Sequence, residues 1–415
     1  MSTAQAATPL ETRIREAAAR AEPRVIAVRR DIHQHPELGN REVRTAKLVA
    51  DRLRELGIET KTGVAHTGVI GILKGGKPGR VVALRADMDA LPVTEQVDLP
   101  FASKVRTTYN GIETGVMHAC GHDAHVAILL GVAEVLAGMR EELPGTVKFL
   151  FQPAEEGAPR GEEGGAELMV KEGALENPRP DAVFGLHVTS RFAAGTIAYK
   201  PGSMMAAVDS LTIEVRGKQT HGAYPWLGVD PIVVASQIVL GLQTIPSRQL
   251  DSTVAPAVVT VGMIQGGIRN NIIPDSVKML GTIRSLDKSM QKDIHDRIRR
   301  TAESIAASAG ATATVTIETG YPVVYNDPAI TERAAPILER TSEETIVTNA
   351  VLGAEDFSFF QEKVPGLFYW VGTRPKNQTA EEAPSNHSPL FYVDESGLIY
   401  GVRSLAAVAV EFLGK

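Results

Sequence analysis

Between residues 42 and 56, Val43, Ala46, Val49, Ala50, Leu53 and Leu56 recur at three- and four-residue steps. This spacing predicts an amphipathic helix, and Gly57 supplies its stop. Downstream the pattern shortens to apolar runs that each lead into acidic or imidazole side chains. Val81-Val82-Ala83-Leu84 leads to Asp87 and Asp89, the run over 147–151 to Glu155 and Glu156, and the run over 182–186 to His187. Helical patterns over 126–139 and 166–173 separate them, so the runs read as strands buried on both faces of a largely parallel or mixed sheet. The fold class is α/β. In open α/β sheets ligands sit beyond the carboxyl ends of the strands, where these acids and this histidine fall.

From about residue 208 the order changes to strand (211–216), helix (231–245), strand (257–264), strand (277–284), helix (289–308) and strand (313–318). That is the β-α-β-β-α-β order of a split-βαβ, ferredoxin-like unit, read as an inserted second domain. A helix over 329–341, a strand over 367–371 and a closing apolar helix over 398–413 then complete the first sheet. The polar stretch 376–385 reads as a surface loop before His387. The expected division is 1–204 and 319–415 for the larger domain, interrupted by 205–318. At about 150 residues per domain, a chain of 415 residues has room for two or three.

Composition narrows the function. With 43% hydrophobic and 22% charged residues, the chain is close to the soluble average, which excludes a disordered or fibrous protein. Its 43 basic and 49 acidic residues give a net charge of −6, without the basic excess that nucleic acid binding needs. No run of 18 residues is both uncharged and mainly apolar, and the first eight residues show no basic n-region leading into an apolar one. A cytoplasmic protein without a membrane partner is expected. The single cysteine, Cys120, excludes an intramolecular disulfide and suits a reducing compartment.

The chemistry concentrates in Met117-His118-Ala119-Cys120-Gly121-His122-Asp123-Ala124-His125, which holds three of the ten histidines and the only cysteine. Thiolate and imidazole suit zinc and its first-row neighbours, and Gly121 lets the backbone bend so that its neighbours face one ion. The alternative is a buried small-residue turn with Asp123 as a helix cap. In Gln152-Pro153-Ala154-Glu155-Glu156-Gly157, consecutive side chains on a regular strand would face opposite ways. Pro153 and Gly157 interrupt the strand, so one carboxylate can bind metal while its neighbour carries a proton; a solvated acidic loop is the plainer reading. Asp87 and Asp89, two apart, share a strand face; a pair of capping or turn acids before Pro92 is the plainer alternative. His187 and His387 each read singly as structural histidines. Collectively, Cys120, His122, Glu156, His187 and His387 make five ligands, with Glu155 left over. Five exceed the three of a catalytic zinc and suit two ions. His221, and Arg269 and Asn271 within 266–274, fit turn chemistry, but could also supply donors for an oxyanion and a substrate carboxylate.

Taken with Asp-Ile-His-Gln-His-Pro-Glu-Leu (31–38), Leu-Arg-Ala-Asp-Met-Asp-Ala-Leu-Pro (84–92), Gly-Ala-Glu-Asp-Phe (353–357) and Asn-His-Ser-Pro (386–389), these motifs resemble the dinuclear aminoacylase and carboxypeptidase family of metallopeptidases. Within it they are similar to the branch of hippurate hydrolases and plant-type indoleacetyl-amino-acid hydrolases. The likeness runs from about residue 24 to 411 and leaves residues 1–22 unread. It implies a mixed-sheet α/β/α catalytic domain with an inserted ferredoxin-like α+β lid through which subunits pair as a homodimer. It also implies Cys120, His122, Glu156, His187 and His387 as ligands of two divalent ions, zinc or manganese first, cobalt or nickel also accepted. By the same likeness Glu155 is the general base, Asp89 orients a ligand, and His221 and Asn271 contact substrate from the lid, where in relatives a histidine can complete the neighbour's site. The implied reaction is hydrolysis of the amide of a small N-acyl amino acid such as hippurate, giving a carboxylic acid and a free amino acid. Alternatives are a dipeptidase, a deacetylase of N-acetylated diamino acids, a hydrolase of ureido substrates, or a non-catalytic metal-containing binding protein, against which Glu155 argues.

Overall fold

The computed structural model describes residues 9–414, and the leader reading of residues 1–8 lies outside the described residues. The chain forms two compact units. The first takes the described residues up to Gly202, Tyr325–Asn349 and everything from Phe359 on. Its eight-stranded sheet runs in the order Glu59–Val64, Gly68–Lys74, Pro144–Gln152, Lys77–Asp87, Ala182–Ala193, Gly366–Arg374, Thr196–Tyr199, Glu344–Val347. The four middle strands of that order are mutually parallel, whereas the pairings of Gly68–Lys74 with its two neighbours are antiparallel. The mixed sheet expected from the sequence is the one found.

Parallel strands need both faces covered, and Phe149, Phe151, Phe184, Leu367 and Tyr369 in the middle strands are fully buried. The helix His122–Ala137 is buried on every side, with only Glu134 and the terminal Ala137 among its residues not so, as expected of a helix apolar all round. Pro9–Gln34, unread from the pattern, is a helix of 26 residues. It buries Ile14, Ala18, Ala21, Val25, Arg29 and Ile32, a helical stripe disguised by two alanines and an arginine. The closing helix is apolar and long enough by composition to cross a membrane, yet 72% of its most apolar window is buried inside the fold. Phe412 there packs on Phe184 with ring centroids 4.9 Å apart.

The second unit comprises Ser203–Val324 and Ala350–Ser358. Its antiparallel sheet has the order Ala257–Gly266, Ser276–Ser285, Ala207–Arg216, Thr312–Thr319. Pro231–Thr244 and Lys288–Ser308 bury Val234, Ile238 and Leu242, and Ile294, Ile298 and Ala302, in a core shared with the sheet. Both helices start where side chains dictate. Asp230 accepts from the N–H groups of Ile232 and Val233 ahead of Pro231 at the first position, and Asp287 accepts from Met290. The β-α-β-β-α-β order read from the sequence is present, with strands a few residues longer than their apolar runs.

Candidate metal centre

Three neighbouring strands of the first unit deliver the acids and imidazoles. Lys77–Asp87 ends on Asp87, with Asp89 two residues beyond. Pro144–Gln152 ends just before the 153–157 turn, where Ala154 (φ 51°) and Gly157 (φ 105°) break the alternation of a strand. Both Glu155 and Glu156 therefore reach His122, and the ligand atoms of these three residues all lie within 4.8 Å of one another. His187 does not end its strand as the sequence suggested. The strand continues to Ala193 because it stays paired with Gly366–Arg374, whereas its pairing with Lys77–Asp87 stops at Arg85–Gly185. That edge is left open beside His187.

Two triads share one sulfur. Cys120, His122 and His187 form one, and Cys120, Glu156 and His387 the other, with all ligand atoms of each within 4.8 Å. Cys120 Sγ is 3.4 Å from His187 Nε2 and 3.2 Å from His387 Nε2, which in turn is 3.0 Å from Glu156 Oε1. Asn386 staples the His387 loop in place by donating to the carbonyls of Cys120 (3.0 Å) and Val188 (3.2 Å).

Hydrogen bonds on the far ring nitrogens set the tautomers. His187 Nδ1–H donates to the Val188 carbonyl at 2.7 Å, which leaves the Nε2 lone pair toward Cys120. His122 Nδ1 lies 3.3 Å from Asp89 Oδ1, and its Nε2 is buried with no hydrogen-bond partner among the described residues. An orphaned buried nitrogen is expensive, and a divalent cation is the partner that suits it: thiolate, imidazole and carboxylate are the donors zinc and its neighbours take. The residues present fit two such ions. Asp89 also receives the N–H groups of Glu155 and Glu156, each at 3.0 Å, so one carboxylate orients a candidate ligand and the turn carrying two acids. Glu155 Oε2 stands 3.9 Å from His122 Nε2.

His125 and His118, part of the same sequence cluster, fall outside both triads. His125 Nε2 accepts from the Val188 N–H at 2.8 Å, so its Nδ1–H donates to Asp87 and both nitrogens are committed. His118 is buried, and burial takes its pKa down to about 3. Asp123 is not a cap: its carboxylate pairs with Arg29 (2.7 Å) and His33 (2.9 Å) on the first helix. Burial opposes the charge on Asp87, but Arg85, His122 and His125 outweigh it and hold that carboxyl well below its usual range. These long-range partners left no mark in the local sequence.

Without cations the candidate ligands hold protons. Burial, then the charges of Glu156, Glu155 and Asp87, push the Cys120 thiol well above its usual range. Burial opposes a charge on His122, yet Asp87, Asp89 and Glu156 raise it to about 10. At pH 7 both are protonated, and metal binding must displace those protons. Ion affinity is therefore expected to rise with pH, with net proton release. Calorimetric titration of the metal-free protein in buffers of different ionisation enthalpy checks this; a buffer-independent heat would contradict the assignment of Cys120 and His122.

Gly121 sits in the left-handed region (φ 94°) ahead of His122, and a Cβ there would meet Val188 Cγ2 at 2.4 Å. Gly121→Ala is expected to cost about 2–5 kcal/mol, summing left-handed strain and overpacking. It should also lower metal content, because the residues displaced on either side are Cys120 and His122. Thermal unfolding and metal analysis read both, and an unchanged melting temperature would mean that the bend is not required.

In the second unit, Thr220–His221 pairs with Ile272–Ile273, which groups His221, Arg269 and Asn271 at one exposed turn. His221 Nδ1 accepts from the Ala223 N–H at 3.0 Å, so its outward Nε2 carries the hydrogen and is a donor. The Gly222 N–H donates to the Asn271 carbonyl at 2.8 Å, holding the two strands together.

The chain is similar to known proteins over nearly its whole length. The chain is 44% identical over 393 residues to thermostable carboxypeptidase 2 of Saccharolobus solfataricus, covering 94% of this chain and 96% of that protein. It is 41% identical over 388 residues to N-acetylcysteine deacetylase of Bacillus subtilis, covering 93% and 96%. The crystal structure of the Bacillus subtilis YXEP protein, described as a dinuclear metal-binding peptidase, superposes with a TM-score of 0.81 at 39% identity over 95% of this chain and 99% of that one. Residues 83–411 match the pattern of peptidase family M20/M25/M40. With that pattern matched over most of its length and relatives 44% and 41% identical across nearly all of it, the chain belongs to peptidase family M20/M25/M40.

Proposed function

We propose that the protein hydrolyses the amide bond of N-acyl amino acids, hippurate-like in form, releasing a carboxylic acid and a free amino acid. The observation that carries this reading is the pair of triads meeting at Cys120 with a second acid, Glu155, at their edge. When bound, two divalent cations supply Lewis-acid polarisation of a carbonyl and bring the pKa of water to about 7. The thiolate favours zinc, with manganese, cobalt or nickel as the alternatives. Glu155 takes the proton of the attacking water and returns it to the leaving nitrogen. Asp89 keeps Glu155 facing that water by holding its N–H and that of Glu156. The donors grouped in the second unit suit the rest of the substrate: His221 Nε2–H an oxyanion, and Arg269 and Asn271 a carboxylate and an amide.

Similarity to a protein named as an N-acetylcysteine deacetylase supports the acyl amino acid class. Similarity to one named as a carboxypeptidase supports the second reading, a dipeptidase or related peptidase. A homodimer through the lid fits the surface of the second unit. Ala257–Gly266 is an edge strand bearing exposed Val258, Met263 and Ile264, near a helix that exposes Ile232, Val233 and Leu240. Open apolar edges invite pairing with a like strand.

Glycine release from N-benzoylglycine, measured after chelation and again after restoring zinc or manganese at known stoichiometry, tests the reaction. Metal-dependent release at about two ions per chain is expected. Binding of ions without release would overturn the acyl amino acid reading, and a dipeptide cleaved instead would favour the second.

A further inference from the structure

Glu42 is completely buried and stands at the N-cap of the helix Val43–Glu55, yet its side chain does no capping there. Glu37 does that work, accepting from the N–H groups of Arg44 and Thr45 at 2.9 Å each. Glu42 instead reaches 112 positions along the chain: Oε1 accepts from the Ala154 N–H at 2.9 Å, and Oε2 accepts from Thr67 Oγ1 at 2.6 Å. The next two N–H groups, of Glu155 and Glu156, end on Asp89. Three consecutive amides of the turn are thus held by two buried carboxylates. Ala154 is in the left-handed region, which a residue with a Cβ avoids unless its surroundings hold it. The turn is also packed from behind. A Cβ on Gly39 would come to 3.0 Å from Ala154 Cβ and 3.1 Å from its Cα, and one on Gly68 to 3.2 Å from Pro153 Cδ.

We infer that Glu42 is a positioning residue for the hydrolysis proposed above, on which this inference rests: by holding the Ala154 N–H it fixes the directions in which Glu155 and Glu156 leave the turn. Released from Glu42, Ala154 relaxes toward an ordinary backbone conformation, and the rotation passes directly to Glu155. Both acids keep the Asp89 hold on their N–H groups, but Glu156 is also held through its side chain by His387 and lies one residue farther from Ala154, so proton transfer suffers before metal binding does.

The test compares Glu42→Ala, Glu42→Gln and Glu155→Gln on N-benzoylglycine, with metal content measured for each. Glu42→Ala is expected to lower kcat about 10- to 100-fold, the scale of a misplaced catalytic group, with KM little changed and both ions retained. Glu42→Gln recovers most of that turnover, since its amide oxygen still accepts from Ala154 and its NH2 can donate to Thr67 Oγ1. Wild-type kcat in Glu42→Ala, loss of ions in step with turnover, or a glutamine variant no better than alanine would each overturn the inference. If Glu42→Ala does not fold, Gly39→Ala carries the test. Its Cβ presses on Ala154, at 3.0 Å from its Cβ, so a several-fold fall in kcat is expected and an unchanged kcat overturns the inference. Two controls separate the claims: a wild-type protein that releases no glycine overturns the hydrolysis reading, a Glu155→Gln protein that turns over normally removes Glu155 as the base and with it the reason to position it, and an inactive Glu155→Gln beside a fully active Glu42→Ala removes only Glu42.

Discussion

Replacing Glu155 by glutamine is expected to lower kcat by about a hundred- to ten-thousand-fold, the range a positioned acid-base group contributes, while leaving the ions in place. The substitution keeps the shape of the side chain and the backbone N–H that Asp89 accepts at 3.0 Å, so the turn has no reason to move. What is lost is the ability to take a proton from water and carry it to the leaving nitrogen. Glu155 belongs to neither triad that shares Cys120, and it stands 3.9 Å from His122 Nε2, near the ligands. Steady-state kinetics and metal analysis on one preparation decide the matter. Turnover close to wild type would remove Glu155 as the base, and loss of an ion together with turnover would make it a ligand instead.

How far the site could be read before the fold depended on the distance over which each residue acts. Cys120 and His122 are legible because Gly121 between them is itself the signal: a left-handed residue that turns two neighbours toward one point. Glu155 and Glu156 are legible for a similar reason, since Pro153 and Gly157 announce the irregular backbone that lets consecutive acids converge. His187 was found from its apolar strand but misplaced at the end of it, because the run 182–186 says nothing about a neighbour that stops pairing at Arg85. Glu42 and Arg29 gave no local cue, and the cluster that contains His125 did not show that its ring is committed to Asp87. Each owes its burial to a partner far along the chain, Ala154, Asp123 and Asp87 respectively. An isolated acid before a helix or an arginine in an alanine-rich stretch reads as surface until that partner is known. The same holds for the first helix, whose buried stripe is interrupted by Arg29, and for Glu59–Val64, a strand with only Val64 buried.

The sharing of one sulfur predicts an asymmetry among the ligand variants. Cys120→Ala removes a donor from both triads at once, whereas His187→Ala and His387→Ala each remove a donor from one. From about two ions per chain, each histidine variant is expected to keep about one, and Cys120→Ala to hold neither tightly and to lose all measurable turnover. His387 has a side chain 56% exposed, beside a Glu156 side chain that is 15% exposed, so its ion faces water and should be the one a chelator removes first. His187 is buried at 7% exposure and its Nδ1 is fixed by the Val188 carbonyl, so the ion it shares with His122 should leave last. Equal loss of both ions in all three variants would mean that they bind as one cooperative unit. A Cys120→Ala protein that keeps both ions would show that the sulfur is a bystander, and would leave the two triads without the atom that joins them.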